Sequence, residues 1–376
     1  MDGGIDRPES PGTGGVPLRF GQTGRALPIV GLAVGNALLG LVTLSLFRFW
    51  ARTRVRRYLW QTSFINGEPL DYSGKGSELF VSFLMAIGLF IAPALLVSLF
   101  LTLWAEPGGA LQVLGWMAAS GLLGVLYGYA TYRQRGYILS RTHWRGIRFA
   151  QSGSAVGYGL ALLGYLLLVS LTFGLFTPVM NNRLVRRLRT NTWFGDARFA
   201  YDGKALPLFW RFLAAILAAI VVIFTGPALL TSLMAEAGFE LADADPEALG
   251  VLLEDPASLI VLAVAGGGTG LVLLLIGALY RAFELNYMTA HTSIGGVRFA
   301  FRATGLSLLW LWVGNVLIIA LTFGIGLPFA LVRVMRYRLH RLSAEGTLEL
   351  DAIGQAGQPV PRWGEGLADM LGLMEI

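Results

Sequence analysis

The sequence predicts an α-helical polytopic membrane protein with seven apolar segments in an internally repeated arrangement and with short cytoplasmic β-hairpins. Three observations predict this fold: the composition, the long apolar runs, and motifs that recur along the chain. Hydrophobic residues make up 55% of the 376 positions and charged residues only 14%, whereas soluble proteins carry about 25% charged residues. A composition this apolar is typical of a chain that lies in a membrane.

Seven runs without any charged residue follow one another along the chain. They are Leu27–Phe47, Leu79–Trp104, Ala110–Tyr132, Val156–Met180, Phe212–Met234, Leu259–Tyr280 and Ala303–Val332. A helix needs about 20 apolar residues to cross the hydrocarbon core of a bilayer, so each run is long enough to be a membrane segment. The start of the chain lacks a basic stretch followed by an apolar run, so we expect a disordered tail rather than a signal peptide.

Basic residues cluster beside the apolar runs and predict which connections face the cytoplasm. Five clusters stand out, around Arg48–Arg57, Arg133–Arg148, Arg183–Arg198, Arg281–Arg302 and Arg333–Arg341. The connections Ala105–Gly109 and Ala235–Ser258 carry acidic residues and no basic ones. By the positive-inside rule the five clusters lie in the cytoplasm and the two acidic connections lie outside.

One unit recurs three times, in a way that divides the chain. Thr43, Thr172 and Thr322 each open a short motif that is followed, at the same distance, by a pair of arginines spaced Arg-x-x-Arg. Internal repetition of this kind determines the architecture. We therefore divide the chain into a disordered tail (1–17), repeat unit 1 (18–147), repeat unit 2 (148–297), a half unit (298–342) and a cytoplasmic tail (343–376), whose last residues form either a docking helix or a disordered end.

A second recurring motif predicts the β-hairpins. The dipeptide Arg-Phe recurs at Arg19, Arg148, Arg198 and Arg298, and in most copies a Thr and a Gly precede it. Aromatic and polar residues that alternate around a glycine are typical of a hairpin with a tight turn. We expect the copies to pair into a small sheet that caps the helices.

The hairpins conflict with a simple alternating topology. The segments that begin at Leu27, Val156 and Ala303 have a hairpin motif before them and an arginine cluster after them, so both of their ends favour the cytoplasm. Each contains a Thr-x-Gly or Thr-x-Ser break, as in helices that enter and leave a membrane on one side. The favoured topology therefore has four crossings plus three re-entrant segments, and seven ordinary crossings is the alternative.

Several stretches resemble a known family. They are Phe20-Gly-Gln-Thr-Gly24, Asn36-Ala-Leu-Leu39, Phe49-Trp-Ala-Arg-Thr-Arg-Val-Arg-Arg-Tyr-Leu-Trp60 and Tyr72-Ser-Gly-Lys-Gly-Ser-Glu-Leu-Phe80. Together they resemble the YjgN-like family of bacterial inner-membrane proteins, which is defined by a domain of unknown function. The resemblance covers about residues 18–342 and implies a multi-pass location in the inner membrane, with no established activity. Ser45 stands where such proteins tend to have glycine.

Motifs for catalysis and cofactor binding are weak throughout the sequence. The chain has no cysteine, which excludes disulfides and thiol nucleophiles. His143, His291 and His340 lack acidic residues at metal-ligand spacing, so we expect no metal site and no cofactor. The glycines of Gly266–Gly270 lack the following Lys-Ser or Lys-Thr of a phosphate loop, and we interpret them, like Gly124 and Gly128, as sites of close helix packing. We therefore expect that the protein is not an enzyme.

Two functions remain. The first is translocation of a small polar solute or lipid, with polar breaks and basic helices contacting an anionic group. The second is a non-catalytic scaffold whose basic face binds anionic lipid or a partner protein. The candidate contact residues are Thr43, Arg54, Arg57, Thr172, Gly174, Arg183, Arg186, Thr322, Gly324, Arg333, Arg336, Asn36 and Asn315. Anionic headgroups of membrane lipids are the expected partners, nucleic acid is not, and a homo-oligomer or a partner protein are further candidates.

Overall fold

The structure is a computed structural model that describes residues 17–88, 92–104, 106, 108–236 and 256–360. Most of the predicted N-terminal tail, most of the second acidic connection and the predicted docking helix near the C-terminus lie outside the described residues. The helices are α1 (Ala26–Val42), α2 (Arg48–Gln61), α3 (Gly76–Ala86), α4 (Ala92–Trp104), α5 (Ala110–Ser140), α6 (Ala155–Leu171), α7 (Thr177–Thr190), α8 (Leu206–Glu236), α9 (Pro256–Ala290), α10 (Gly305–Leu321) and α11 (Leu327–Arg341).

Eleven strands occur in the described part of the chain. They are β1 (Phe20–Gln22), β2 (Ser63–Ile65), β3 (Glu68–Pro69), β4 (Asp71–Tyr72), β5 (Thr142–Trp144), β6 (Ile147–Gln151), β7 (Thr192–Phe194), β8 (Ala197–Tyr201), β9 (Thr292–Ile294), β10 (Val297–Phe301) and β11 (Leu342–Glu345). Strands β4 to β11 form one eight-stranded sheet in sequence order, and β1 to β3 form a second sheet. We call these two sheets the strand layer.

Tight turns join the strands where the repeated Arg-Phe motif predicts hairpins. Asn66-Gly67, Arg145-Gly146 and Gly295-Gly296 each place two successive residues at positive φ. Two such residues form the turn whose twist matches that of antiparallel strands. Turn geometry therefore explains the glycines upstream of the Arg-Phe dipeptides at Arg148 and Arg298.

Three helices in the described part of the chain are long and apolar enough to cross a membrane. They are α5, α8 and the segment Leu259–Ala290 of α9. The other four apolar runs form shorter helices. A break divides three of them, and the run Leu79–Trp104 contributes to α3 and α4, which flank residues outside the described part. Helices α1, α6 and α10 have 17 residues each and are therefore about 25 Å long. Seven segments of full membrane length, which the apolar runs predict, are therefore not confirmed by the described residues.

Each helical hairpin begins and ends at two strands that pair with each other in the strand layer. Strands β1 and β2 flank α1–α2, with Phe20 opposite Ile65, and the pairs β6–β7 and β10–β11 flank α6–α7 and α10–α11. We call these three helix pairs short hairpins 1, 2 and 3. Strands β4–β5 flank α3–α5, and β8–β9 flank α8–α9; these are the two long hairpins. Short and long hairpins thus alternate along the chain.

The last unit packs against the first. Helix α11 contacts α1 and β1, and the rings of Phe20 and Phe299 lie 6.3 Å apart. The phenylalanines of the repeated Arg-Phe dipeptides pack into one core made by the strands of the strand layer and the segment after β11. Its other members include Leu18, Trp144, Phe194, Ile294, Val297 and Leu348. The repeated Arg-Phe motif therefore supplies the apolar contacts that join the units.

Glycines account for only part of the helix packing. A Cβ added at Gly128 of α5 would lie 2.7 Å from the Cα of Gly159 in α6, so these helices approach closely there. Gly266, Gly267, Gly268 and Gly270 lie within α9 and have no atom within 4 Å of an added Cβ. The packing interpretation is confirmed for Gly128, whereas the described protein shows no close packing at these four glycines of α9.

Candidate functional site

The breaks in the three short hairpins share one hydrogen-bond pattern. The hydroxyl of Thr43 donates to Leu39 O at 2.7 Å and accepts from Phe47 N–H at 3.0 Å. Thr172 and Thr322 make the same two bonds around their own breaks. Each hydroxyl therefore connects the end of one helix to the start of the next. These bonds show that the threonines shape the breaks. Their predicted contact with a substrate stays a prediction.

The two residues after each threonine have left-handed backbones. Phe173 and Phe323 both have φ of 49°, and Gly174 and Gly324 follow with φ of 89° and 86°. In short hairpin 1 the same two places hold Leu44 and Ser45, at φ of 49° and 67°. Only glycine adopts such angles without steric cost, so the backbone of Ser45 is strained. This is the position at which the resembled family tends to have glycine.

The second arginine of each Arg-x-x-Arg pair binds a backbone carbonyl outside its own short hairpin. Arg57 donates to Gly74 O at 3.3 Å and Arg186 to Gly203 O at 2.8 Å. Arg336 donates to Gly24 O, which joins the last unit to the first. Each acceptor glycine follows a strand of the strand layer. These arginines therefore tie the short hairpins into the closed arrangement, and we call the three contacts the ring ties.

The ring tie of Arg186 is surrounded by buried aromatic and polar groups. Its guanidinium lies 5.8 Å from the ring centre of Tyr201, and the Tyr201 hydroxyl donates to Asn182 Oδ1 at 2.6 Å. Burial raises the pKa of Tyr201 to about 12. The phenol is therefore neutral at physiological pH and serves as a hydrogen-bond donor.

The first arginine of each pair packs within its own hairpin, and in hairpins 1 and 2 it packs on the break. The guanidinium of Arg54 lies 4.9 Å from the ring centre of Phe47, and that of Arg183 lies 5.9 Å from that of Phe176. Arg333 lies against Gly314, because a Cβ there would come within 2.8 Å of its guanidinium nitrogens. Arg333 and Arg336 also line a surface groove with Trp310 and His340.

A separate cleft lies between short hairpins 1 and 3. It has a volume of about 340 Å³ and is lined by α1, α2 and the start of α11. Arg48, Arg52 and Arg56 line it from α2, and their spacing of four residues places them on one face of that helix. We call these three residues the arginine ladder and the cavity the ladder cleft.

The wall opposite the ladder is apolar. Leu327, Pro328 and Leu331 of short hairpin 3 form it, together with Gly324 at the break. The charged end of a ligand would thus meet guanidinium groups, while its apolar part would meet leucine and proline. Such a cleft fits an anionic amphiphile better than a fully hydrated ion.

Two buried polar side chains, Asn36 of α1 and Arg56 of α2, line the cleft. Both polar atoms of the Asn36 amide are buried, and neither has a hydrogen-bond partner in the described protein. Arg56 is only 4% exposed and donates to the Tyr72 hydroxyl at 3.4 Å. A buried amide without a partner is costly, so a polar group that entered the cleft beside Asn36 would be stabilised by hydrogen bonds to it.

The ladder cleft contains few of the residues that the sequence singles out. Asn36 and Gly324 line it, whereas Arg54 and Arg57 are exposed elsewhere on α2. Asn315 and the candidates of short hairpin 2 are not among its lining residues. Sequence reasoning missed the three ladder arginines because it searched for repeated residues. The four-residue spacing of Arg48, Arg52 and Arg56, which has no counterpart in the other two hairpins, is the signal that could have found them.

Comparisons with known proteins agree with a membrane location. A family model described as "Bacterial protein of unknown function (DUF898)" matches residues 17–370. The chain is also similar to an inner membrane protein, YjgN, of Salmonella typhimurium, with 30% identity over 97 residues. That match covers 26% of this chain and 23% of the relative. No solved structure matches the chain. Together with the three membrane-length helices, these findings indicate a multi-pass protein of the bacterial inner membrane.

Proposed function

The chain belongs to the DUF898 family of bacterial proteins, and on that premise we propose that it translocates an anionic amphiphile, such as a lipid, through the ladder cleft. The observation that carries this proposal is the arginine ladder, which extends along α2 and faces an apolar wall. The topology proposed below places this helix in the bilayer, where charged side chains are costly and usually mark a path for a substrate or ion.

The proposal includes the topology of the short hairpins, which we take to be re-entrant. Strands β1 and β2 are hydrogen bonded to each other, so short hairpin 1 begins and ends on one side of the membrane. The same holds for the pairs β6–β7 and β10–β11. Seven ordinary crossings would place paired strands on opposite sides of a bilayer. The pairing therefore supports four crossings plus three re-entrant segments.

The tips of the short hairpins support the same topology. Leu44, Phe173 and Phe323 are 89%, 96% and 95% exposed. Large apolar side chains exposed together on three equivalent tips are favourable in hydrocarbon and unfavourable in water. The preceding helices of 17 residues extend about 25 Å, which is less than the roughly 30 Å of the hydrocarbon core. The tips therefore end inside the bilayer.

The ladder then extends from the tip towards the strand layer. Arg48 is the first residue of α2, directly after the break, and Arg56 lies two turns further along the helix. A headgroup that moves along the cleft would exchange one guanidinium for the next without losing its counter-charge. Arginine suits this role because its planar fork binds phosphate oxygens in pairs.

A non-catalytic scaffold is the second candidate, and the ring ties favour it for the repeated residues. Arg57, Arg186 and Arg336 bind backbone carbonyls of their neighbours, so these arginines have a structural task without any substrate. The scaffold alternative assigns the same kind of role to the ladder. The two functions therefore differ in what the ladder arginines are expected to do.

Reconstitution in vesicles tests the proposal. We would follow the transbilayer movement of headgroup-labelled phosphatidylglycerol, using an impermeant reductant that removes the label of the outer leaflet. Wild-type protein should expose the label of the inner leaflet. The double variant Arg48→Gln/Arg52→Gln should slow this movement at least tenfold, with an unchanged melting temperature.

The matched control is Arg54→Gln, which makes one of the same charge changes on an exposed part of α2 outside the cleft. It should transport the lipid at the wild-type rate. Wild-type protein without any lipid movement, or a ladder variant as active as wild type, would contradict the proposal and leave the scaffold function ahead.

A further inference from the structure

A second basic cavity lies where the helices meet the strand layer. It has a volume of about 520 Å³ and lies among the C-terminal halves of α7, α9 and α11 and the first half of α10. Arg189, Arg281 and Arg338 contribute guanidinium groups to its lining. We call it the interfacial cavity, because Arg338 and Leu342 in its wall lie directly beside the strand layer.

The interfacial cavity continues the direction of the ladder cleft. Leu331 lines the cleft, while Val334 and Arg338 line the cavity. These residues are spaced by three and four positions, so they lie on one face of α11. The cleft occupies the half of this face near the break, and the cavity occupies the half near the strand layer.

Two of its arginines are held in place by neighbouring groups. Arg189 donates to Met288 O at 2.7 Å and also to the hydroxyl of Thr292. Arg281 forms an ion pair with the buried Glu284, which in turn accepts from Asn181 Nδ2 at 2.9 Å. Burial lowers the pKa of Arg189 to about 10, so its guanidinium is charged at neutral pH. Anchored guanidinium groups lose little conformational entropy when they bind an anion.

The rest of the lining is amphipathic. Trp312 and Tyr337 contribute aromatic surface beside the arginines, and Leu285, Leu308 and Leu311 form the apolar part. Arg281 lies nine residues before the end of α9, hence about 13 Å from the strand layer. The cavity therefore extends from the strand layer along α9 towards the apolar part of that helix.

We propose that the interfacial cavity binds the phosphodiester of an anionic phospholipid of the inner leaflet, with Arg281 and Arg338 contacting the phosphate. Arg189 supplies a third positive charge from the wall. This binding proposal does not depend on the proposed translocation function. Its assignment as the cytoplasmic entry to the ladder cleft rests on the proposed translocation function, since the two cavities share one face of α11.

Native mass spectrometry of delipidated protein tests the binding. Phosphatidylglycerol, diacylglycerol and inorganic phosphate are titrated separately, so that lipid and free anion are distinguished. The inference predicts a bound phosphatidylglycerol that diacylglycerol does not replace. Arg338→Gln should weaken this binding at least tenfold, and Thr289→Trp, which fills the cavity from α9, should abolish it.

The matched control is Arg302→Gln, because Arg302 carries the same charge beside the strand layer and is not among the lining residues. It should bind the lipid as wild type does. Melting temperatures verify that each variant is folded. Unchanged binding in folded Arg338→Gln and Thr289→Trp proteins would overturn the inference, as would equal binding of phosphate alone.

The two proposals fail in different ways. If the ladder variant Arg48→Gln/Arg52→Gln still moves lipid, the translocation path is wrong, and binding in the interfacial cavity is untouched. If the ladder variant abolishes the mass-spectrometric lipid binding while Arg338→Gln does not, the lipid lies in the ladder cleft and the second site is wrong.

Discussion

Short hairpins 1 and 2 have the same framework and different surfaces. Both begin their break with a threonine that joins two helices, and both carry, in the second helix, an arginine that forms a ring tie. At the positions of the ladder, however, hairpin 1 has Arg48, Arg52 and Arg56, whereas hairpin 2 has Thr177, Asn181 and Val185. The comparison teaches that repeated residues build the ring of hairpins, and that the residues which depart from the repeat form the cleft.

Short hairpin 3 extends the same comparison. Its equivalents of the ladder are Leu327, Leu331 and Met335, and the first two form the apolar wall opposite the arginines. In hairpin 2 the equivalent of Arg52 is Asn181, which binds the buried Glu284. The three hairpins therefore use one position for a cation, an apolar wall and a structural amide.

The largest effect on stability is expected from a variant that removes a ring tie and leaves the ladder cleft unchanged. Arg186→Gln removes the bond to Gly203 O and the contact with Tyr201. Loss of a hydrogen bond from a charged group costs about 2 kcal/mol of unfolding free energy. Chemical denaturation in detergent should show this loss, while the protein that remains folded should still move lipid.

The equivalent arginine of hairpin 1 gives a graded control. The bond from Arg57 to Gly74 O is longer, at 3.3 Å, so Arg57→Gln should lower the unfolding free energy by less. A variant Arg186→Gln that is as stable as wild type but inactive would show that the ring tie is part of the transport path, against the comparison.

A smaller effect is expected at the tips of the hairpins. Gly174 has φ of 89° and Ser45 has φ of 67° at the equivalent place. Gly174→Ala should lower the unfolding free energy by about 1 kcal/mol or more, because a side chain is strained in this conformation. Ser45→Gly should not destabilise the protein, since relief of strain offsets the greater freedom of the unfolded chain.

Denaturation curves of both tip variants measure this difference. A stable Gly174→Ala protein together with a destabilised Ser45→Gly protein would show that the left-handed turns are not the positions that limit the short hairpins.

The smallest effect on stability is expected at an exposed ion pair that is not repeated in the other units and does not line the ladder cleft or the interfacial cavity. Arg145 binds both oxygens of Glu68, at 2.7 and 2.8 Å. This hydrogen bond lowers the pKa of the Glu68 carboxyl, so its stabilising effect is present above the ordinary carboxyl pKa and is lost as the pH falls through that lowered value. Because both side chains are exposed, Glu68→Gln should hardly change the melting temperature at pH 7.

Measurement of the melting temperature from pH 7 to pH 3 isolates the contribution of Glu68. The small advantage of wild type over Glu68→Gln should disappear on acidification. A large loss of stability or of lipid movement in Glu68→Gln at pH 7 would show that departures from the repeat matter even outside the cleft.

The sequence predicts the framework well because the framework is repeated. The turns at Gly146 and Gly295 and the break at Thr172 carry local signals that recur, and such signals report backbone geometry. The ladder cleft depends on which faces of α2 and α11 meet, and that follows from the pairing of distant strands. The partners of Arg186 and Arg336 likewise lie outside their own short hairpins, so a search for substrate contacts selected arginines that bind backbone carbonyls.

The most direct test of this account is the position of the hairpin tips relative to the membrane. The chain has no cysteine, so single cysteines at Leu46, Leu175 and Ile325 can be labelled with an impermeant reagent from either side of oriented vesicles. Pro69 and Asp202 report the strand layer, and Glu106 reports the outer connection.

The account predicts that Glu106→Cys is labelled only from outside and that Pro69→Cys and Asp202→Cys are labelled only from the cytoplasmic side. The three equivalent tip positions should react from neither side, because they lie in hydrocarbon. Labelling of the tips from outside, at the rate seen for Glu106→Cys, would mean that the short hairpins cross the membrane and would contradict the account.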